Sequence, residues 1–485
     1  MRATVRIDAE RVVATIDRKV YGNFAEHLGR CIYGGIYAPG SPLSDERGFR
    51  TDVAEMVRRL SVSNLRWPGG NFVSGYHWLD GVGPKESRPH RHDLAWHAIE
   101  TNQFGTDEFL EYCRLIGTEP YICLNLGSGT IDEAAAWLAY CNCDDSTDYA
   151  ELRRKNGHPA PYKVPYWGLG NELYGDWQIG HKTAEEYARV AEETAKVLRW
   201  TDPSIRLVAC GAQRVDWDWE VLRRTARHVD YVAAHFYFGP RPGDDEVSSL
   251  LAAPYAAAEY LDVLAGLIAG ARREQKIERD IGIAVDEWNC WYRQRKSPLE
   301  ERYDLTDAVC VAAFLNLLRA RASTVKIANL AQLVNVIAPI FTREDGLFLQ
   351  TIYWPLVAAA RYSGPLLVRS DVEVAGYGST RVLTGSVPYV DALATLDPAV
   401  RKLYLSVVNL HRADAAEVEI RLRDARIGGQ VRAHVVAGDR PDRVNSFEDP
   451  EAVQLVSRDV PSSTGNLIWE APPLSASVLE IPLGP

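Results

Sequence analysis

Residues 166–172 read Tyr-Trp-Gly-Leu-Gly-Asn-Glu, and residues 281–289 read Ile-Gly-Ile-Ala-Val-Asp-Glu-Trp-Asn. Each is a short apolar run that ends in a polar cluster containing a glutamate. Such runs are too short for a core helix. Flanked by turn residues, they predict strands buried on both faces, as in a parallel sheet. Six more runs of this kind lie at residues 20–24, 64–67, 121–126, 206–210, 229–236 and 325–334.

Helical patterns fill the gaps. Residues 49–60 put Val53, Met56, Val57 and Leu60 on one stripe. Residues 106–116 open on Thr106, a good cap residue, and residues 306–322 form a long apolar helix. Thr130-x-x-Glu133 and Thr183-x-x-Glu186 are capping-box patterns. Eight strands alternating with helices predict an α/β fold, a (β/α)₈ TIM barrel, over residues 17–360. No G-x-G-x-x-G fingerprint follows a strand, so no dinucleotide signal is present.

Beyond residue 360 the texture changes to period-two alternation with frequent turn residues, as in RVLTGSVPYVDALATLD and KLYLSVVNLH. This predicts an all-β sandwich of jelly-roll type. Residues 4–16 share the alternation, so the second domain is expected to combine residues 1–16 with residues 361–485.

In a barrel the residues just past the C-terminal strand ends line the active site. Glu172 follows the fourth strand and Glu287 the seventh. Cleavage of a glycosidic bond needs one carboxyl that holds a proton for the leaving oxygen and one ionised carboxylate. A separation of ~5–5.5 Å gives retention through a covalent intermediate. A lone glutamate after a strand is usually a surface charge or a neighbour of a helix cap. Two of them, each inside an Asn-Glu or Glu-x-Asn cluster and across one barrel mouth, favour the catalytic reading.

Other strand ends converge on the same face. Glu26 and His27 follow the first strand, and Arg66 lies in the second. Gly69-Gly70 permits close backbone approach and brings Asn71 near a ligand. Asn125 lies in the third strand, His235 and Tyr237 end the sixth, and Asn329 and Gln332 end the eighth. Arg66 reads as the partner of a buried carboxylate, the nucleophile. His235 reads equally well as a structural histidine or a substrate contact. Trp67 and Trp78 read as packing, whereas Trp96, in a long loop after the second strand, is the best platform for a sugar face.

Composition narrows the partners. The 485 residues carry a formal net charge of −11, which argues against nucleic acid or an anionic membrane. Thirteen Trp and 23 Tyr suit stacking on sugars, although core packing explains the same count. The N-terminus lacks the apolar core of a signal peptide, and no run of apolar residues reaches membrane-span length. The eight cysteines are therefore expected as free thiols in the cytoplasm. Cys141 and Cys143 have no second Cys/His pair at zinc spacing, so no metal is expected.

The sequence resembles glycoside hydrolase family 51, the α-L-arabinofuranosidases, in the clan of barrel glycosidases that use strands four and seven. The blocks FAEHLGRCIYGGIY, LRWPGGNFVSGYHWLDGVGP, DLAWHAIETNQFGTDEF, GLGNELYGDWQIGHKTAEEYA, VDEWNCWY and KIANLAQLVNVIAPI carry the resemblance. It implies a barrel plus jelly roll, no cofactor, an oligosaccharide substrate and a homo-oligomer, with a hexamer possible. It implies Glu172 as acid/base and Glu287 as nucleophile, oriented and ionised by Arg66. Asn171 would bond the sugar 2-hydroxyl, and Glu26 the far hydroxyls of a furanose. Asn71, Trp96, Tyr237 and Gln332 match substrate-contacting positions. Phe236, Cys290 and a short segment at residues 290–303 depart from the pattern and bear on linkage preference.

The implied activity is retaining, exo-acting release of terminal α-L-arabinofuranosyl residues from arabino-oligosaccharides, arabinan or arabinoxylan fragments. A β-1,4-endoglucanase, β-xylosidase or galactofuranosidase on the same scaffold stays open, as does a non-catalytic sugar-binding barrel.

Overall fold

The computed structural model describes residues 1–293, 299–423, 425–461 and 467–484. The chain opens with β1 (Arg2–Thr15), followed by β2 (Gly22–Phe24) and β3 (Asn64–Trp67). A small hairpin of β4 (Arg91–Asp93) and β5 (Ala98–Glu100) interrupts the series. Then come β6 (Glu119–Cys123), β7 (Tyr166–Leu169), β8 (Arg206–Ala209), β9 (Tyr231–Phe238), β10 (Gly282–Cys290) and β11 (Val325–Ala331). β2, β3 and β6 through β11 close an eight-stranded barrel in which every neighbouring pair is parallel.

The expected strands are all present; those at 64–67 and 166–169 keep their expected ends and the others shift. The seventh was expected to stop at Val285 but runs on to Cys290, so Glu287 lies within the strand. The third stops at Cys123, which leaves Asn125 in the following loop. Helix Thr51–Leu60 buries Val53, Val57 and Leu60 as its stripe requires. Thr130 and Thr183 both cap their helices through the side-chain oxygen. Thr106 is instead the first helical residue; Gly105 is the cap, and its N–H is accepted by Glu108.

The later strands are the hairpin β12 (Ile340–Arg343) and β13 (Gly346–Leu349), β14 (Leu366–Val374), and the hairpin β15 (Gly376–Gly378) and β16 (Ser386–Pro388). β17 (Val390–Asp397), β18 (Lys402–Asn409), β19 (Ala416–Arg423) and β20 (Val431–Val436) follow. β21 (Leu455–Val460), β22 (Leu467–Ala471) and β23 (Ser475–Pro482) complete the chain. Eight of these strands and β1 form one nine-stranded sheet in the order β21-β20-β23-β18-β17-β14-β1-β19-β22. β1 lies antiparallel to β14 and parallel to β19, with Val5 opposite Val372 and Ile420. Its alternate residues Ala3, Val5 and Ile7 are buried. Period two thus fixes which face of β1 enters the core, and one slip in register would expose all three.

The sheet is anchored to the barrel. Asp391 of β17 accepts from Asn316 and Tyr255, which lie on two barrel helices, at 2.9 and 3.0 Å. Helix Glu246–Gln275 is long and apolar enough to cross a membrane by length and composition, yet half of its most apolar window is buried within the protein.

The barrel interior is layered. Tyr121, Tyr166, Val208, Ala233, Ala284 and Ile327 form a separate internal cluster. Arg66 stands in the layer above, with its guanidinium 4.6 Å from the centre of the Phe24 ring. That layer is the floor of the site.

Candidate active site

Three strand ends bring together the central groups. β7 stops at Leu169, and the chain turns through Gly170 at φ 83° and Glu172 at φ 43°. A glutamate in the left-handed region is strained, and such residues persist where the surroundings fix them. A Cβ on Gly170 would lie 2.9 Å from Leu173 Cδ1, so the turn needs glycine for space as well as for φ. Glu172 Oε1 lies 2.9 Å from His235 Nδ1, and Oε2 accepts from Trp177 Nε1 at 3.0 Å.

β10 supplies two consecutive carboxylates. Alternation along a strand would send Asp286 and Glu287 to opposite faces. The register shows how both enter the barrel: Ala284 pairs with Ala233 and Glu287 with His235, so Val285 and Asp286 together oppose Ala234. This β-bulge re-aims one side chain. Glu287 Oε1 accepts from Arg66 Nη1 at 2.7 Å, and Oε2 from the Tyr237 hydroxyl at 2.8 Å. Asp286 Oδ2 accepts from the Tyr121 hydroxyl at 2.7 Å and lies 3.4 Å from Arg66 Nε. Its Oδ1 lies 3.2 Å from His235 Nε2.

His235 therefore meets an acceptor at each ring nitrogen, and its Nδ1 is also 3.5 Å from Glu287 Oε2. Burial opposes charge on the ring, but Glu287, Asp286 and Glu172 outweigh it and push its pKa up to about 10. Burial likewise raises the Glu172 carboxyl, but the hydrogen bond and charge of His235, with help from Trp177 and Tyr174, hold it below its ordinary value. Asp286 is also held low, as Arg66 and His235 overcome its burial. Oxygens of Glu172 and Glu287 and Nδ1 of His235 all lie within 4.8 Å of one another. Among the described residues no other His, Cys, Asp and Glu group has such spacing.

A second cluster forms the pocket wall. Glu26 Oε1 accepts from Trp96 Nε1 at 2.9 Å and Phe72 N at 3.1 Å, and Oε2 from Gln332 Nε2 at 3.0 Å. Burial and the charge of Glu287 push its pKa up to about 8, against the pull of these donors. A carboxyl in either state accepts all three bonds; the protonated state adds one O–H donor. The glycine pair makes the wall close. A Cβ on Gly69 would lie 2.5 Å from Glu26 Cγ, and one on Gly70 3.1 Å from Glu287 Oε1. Asn171 Oδ1 accepts from Arg66 Nη2 at 2.7 Å, while its Nδ2 is buried with no partner among the described residues. That donor is free for a hydroxyl.

Of the expected residues, Arg66, Asn171, Glu172, His235, Tyr237 and Glu287 thus lie in the central cluster, and Glu26, Trp96 and Gln332 in the one beside it, with Gly70 between Glu26 and Glu287. Asn71 follows Gly70 at the mouth, half-buried, at the start of the short helix Phe72–Gly75. Asn329 is a correction. It pairs with Gly22, two residues before Phe24, and its Nδ2 donates to Asn23 O and Asn64 Oδ1 at 2.8 and 2.7 Å. The stagger of barrel strands leaves it one layer below the site floor. Asn125 is also spent elsewhere: its Oδ1 accepts the N–H groups of Gly127, Ser128 and Gly129 and so shapes its own loop.

Trp67 and Trp78 are packing, stacked on Phe109 and Trp137. Phe236 and Cys290 face helix Leu305–Ala320, Phe236 against Phe314 and Cys290 beside Cys310, so they do not line the site. All eight cysteines are free thiols. Residues 294–298, in the short segment after Glu287, lie outside the described residues.

Asp286, Trp177, Tyr174 and Tyr121 were not expected. Asp286 adjoins Glu287 in sequence, but only the bulge puts it on the same face. Trp177 gave a weak signal, an aromatic five residues past Glu172 in a loop; it is 58% exposed.

Comparison with known proteins is consistent across the chain. Residues 56–251 match the family model "Alpha-L-arabinofuranosidase 1 domain", and residues 286–475 match "Alpha-L-arabinofuranosidase C-terminal domain". Alpha-L-arabinofuranosidase C of Emericella nidulans is 42% identical over 93% of this chain and 92% of that protein. The intracellular exo-alpha-(1->5)-L-arabinofuranosidase 1 of Bacillus subtilis is 40% identical over 90% of each chain. The structure of a GH51 alpha-L-arabinofuranosidase from Thermotoga petrophila superposes with a TM-score of 0.92 at 44% identity, over 99% of both chains. The chain belongs to the α-L-arabinofuranosidases of glycoside hydrolase family 51.

Proposed function

We propose that the protein is a retaining, exo-acting enzyme that removes terminal non-reducing α-L-arabinofuranosyl residues from arabino-oligosaccharides, arabinan or arabinoxylan fragments. The observation that carries this reading is the carboxylate pair. Oxygens of Glu172 and Glu287 lie within 4.8 Å. Carboxylates with oxygens this near each other suit the ~5–5.5 Å group separation of retaining enzymes better than the ~6.5–9.5 Å that leaves room for a water in inverting ones.

Glu287 is the nucleophile. Arg66 and Tyr237 donate to its two oxygens, which aims it. Glu172 is the acid/base, and its partner His235 spans to Asp286. In the first displacement a Glu287 oxygen bonds to the anomeric carbon as the bond to the leaving oxygen breaks and that oxygen takes a proton from Glu172. In the second, Glu172 takes a proton from water, which replaces Glu287 at the same carbon. Asn171 Nδ2 bonds the 2-hydroxyl. Glu26, held by Trp96 and Gln332, binds the outer hydroxyls, with Asn71 beside them. Exo action is supported by the printed name of the B. subtilis relative.

The name of the B. subtilis relative supports α-1,5-linked oligosaccharides as substrate and an intracellular location. Eight free thiols suit a reducing cytoplasm. The nine-stranded sheet is read as a jelly-roll sandwich, and a homo-oligomer, with a hexamer possible, is the assembly to test by light scattering. The activity test is release of nitrophenol from an α-L-arabinofuranoside set beside the xyloside, the galactofuranoside and a β-1,4-glucan. The arabinofuranoside should turn over fastest, and no turnover of it would refute the assignment.

A further inference from the structure

The resting site poses a problem. Glu172 must deliver a proton in the first displacement, yet its Oε1 faces a ring nitrogen that is itself a proton donor at 2.9 Å. The ring cannot satisfy its surroundings with one proton. Nδ1 faces the carboxylate oxygens of Glu172 and Glu287, and Nε2 faces the carboxylate of Asp286. Ionised carboxylates only accept hydrogen bonds, whereas a neutral imidazole has one N–H and one lone pair. A neutral ring would set a lone pair against an anion in a buried site, so the geometry calls for the doubly protonated ring.

We propose that the working proton of the acid/base is stored on Nδ1 of His235, and that Asp286 is the positioning residue that keeps it there. The inference rests on the roles assigned to Glu172 and Glu287 above. The titratable groups that face the ring are Glu172 after β7 and Asp286 and Glu287 on β10; Tyr174, Cys210 after β8 and Tyr237 on β9 act on those carboxylates. Arg66 on β3 and Tyr121 on β6 stand behind Asp286 and hold its carboxylate.

The proton moves as follows. The Glu287 oxygen bonds to the anomeric carbon, and the bond to the leaving oxygen breaks. Glu172, a carboxylate at rest, takes the Nδ1 proton of His235 and passes it to that oxygen. The products are an ester at Glu287, a carboxylate at Glu172, a neutral ring and the free alcohol. Ester formation removes the negative charge 3.5 Å from Nδ1 at the moment the ring must give up its proton. Attack by water reverses each step. The carbon–Glu287 bond breaks, the carboxylate returns, and the water proton passes through Glu172 back to Nδ1. The bulge in β10 has a function in this scheme. It puts the charge-holding carboxylate and the nucleophile on consecutive residues at one face.

The test reads the ring directly. The protein is labelled with ¹⁵N-histidine, and the His235 signals among its 11 histidines are identified by their loss in His235→Gln. At neutral pH both ring nitrogens of the resting enzyme should give imidazolium shifts. Trapping the ester with a dinitrophenyl 2-deoxy-2-fluoroarabinofuranoside should turn the ring neutral. Asp286→Asn should leave it neutral at rest. That variant should also lose activity on methyl arabinofuranoside by about tenfold more than on the dinitrophenyl substrate, which needs little protonation. A neutral ring in the native resting enzyme, or an imidazolium that survives trapping, would overturn the proposal. If Asp286→Asn does not fold, the two native spectra decide. If no ester forms at all, the assigned chemistry fails, while the resting spectrum still judges the storage of the proton.

Discussion

Nη1 of Arg66 lies 2.7 Å from Oε1 of Glu287, and both side chains are almost fully buried. The same guanidinium reaches Asn171 with Nη2 at 2.7 Å, so one rigid fork fixes the nucleophile relative to the residue before the acid/base. A lysine has one point charge and cannot span both partners. Arg66→Lys is expected to lower kcat/KM for a nitrophenyl arabinofuranoside by about 10²-fold, the worth of a charge-assisted bond of roughly 1.5–3 kcal/mol. A steady-state assay checks this, with the unfolding temperature measured in parallel. Arg66→Ala is expected to destabilise by about 3–5 kcal/mol, because it leaves buried carboxylates without their partner.

Glu172→Ala removes the proton donor but not the nucleophile. The first displacement should survive for leaving groups that need little protonation and collapse for oligosaccharides. With dinitrophenyl arabinofuranoside the variant should show a burst and then stall at the ester. Azide should speed the second step and give an arabinosyl azide of retained configuration. Equal losses on both substrate types would argue against the role of Glu172.

Glu26 carries a pH signature. Its pKa is raised in the folded protein to about 8 by burial and by Glu287. A raised carboxyl favours folding in its protonated form. That contribution is complete below about pH 4.5 and is lost as pH rises through about 8. The wild-type protein should therefore lose stability relative to Glu26→Gln across this window, by a few kcal/mol at most, since each tenfold change in proton affinity corresponds to about 1.4 kcal/mol. Denaturant melts at pH 5 and pH 8.5 provide the comparison. A difference that does not change with pH would contradict the electrostatics.

The barrel was legible because its strands are apolar on both faces and its helices carry plain stripes and caps. The extra strand at residues 2–15 was legible from its alternation. Where sequence reasoning fell short, the cause was register. Asn329 and Gln332 look equivalent at the end of one run, yet Gln332 reaches Glu26 while Asn329 sits a layer down, tied to Asn64. Barrel stagger decides this, and single-sequence patterns do not encode it. Strict alternation would put Asp286 on the face opposite Glu287. A bulge has no fixed residue signature, so this juxtaposition emerges only from the pairing of β9 with β10.

An ester on Glu287 is the intermediate on which every role assigned above depends. Incubation with a dinitrophenyl 2-deoxy-2-fluoroarabinofuranoside, followed by peptide mass spectrometry, looks for it without an assay of turnover. One equivalent of fluorosugar is expected on the peptide containing Asp286-Glu287-Trp288-Asn289, with fragmentation placing it on Glu287. A label on another residue, or turnover to arabinose of inverted configuration with no labelled peptide, would contradict it.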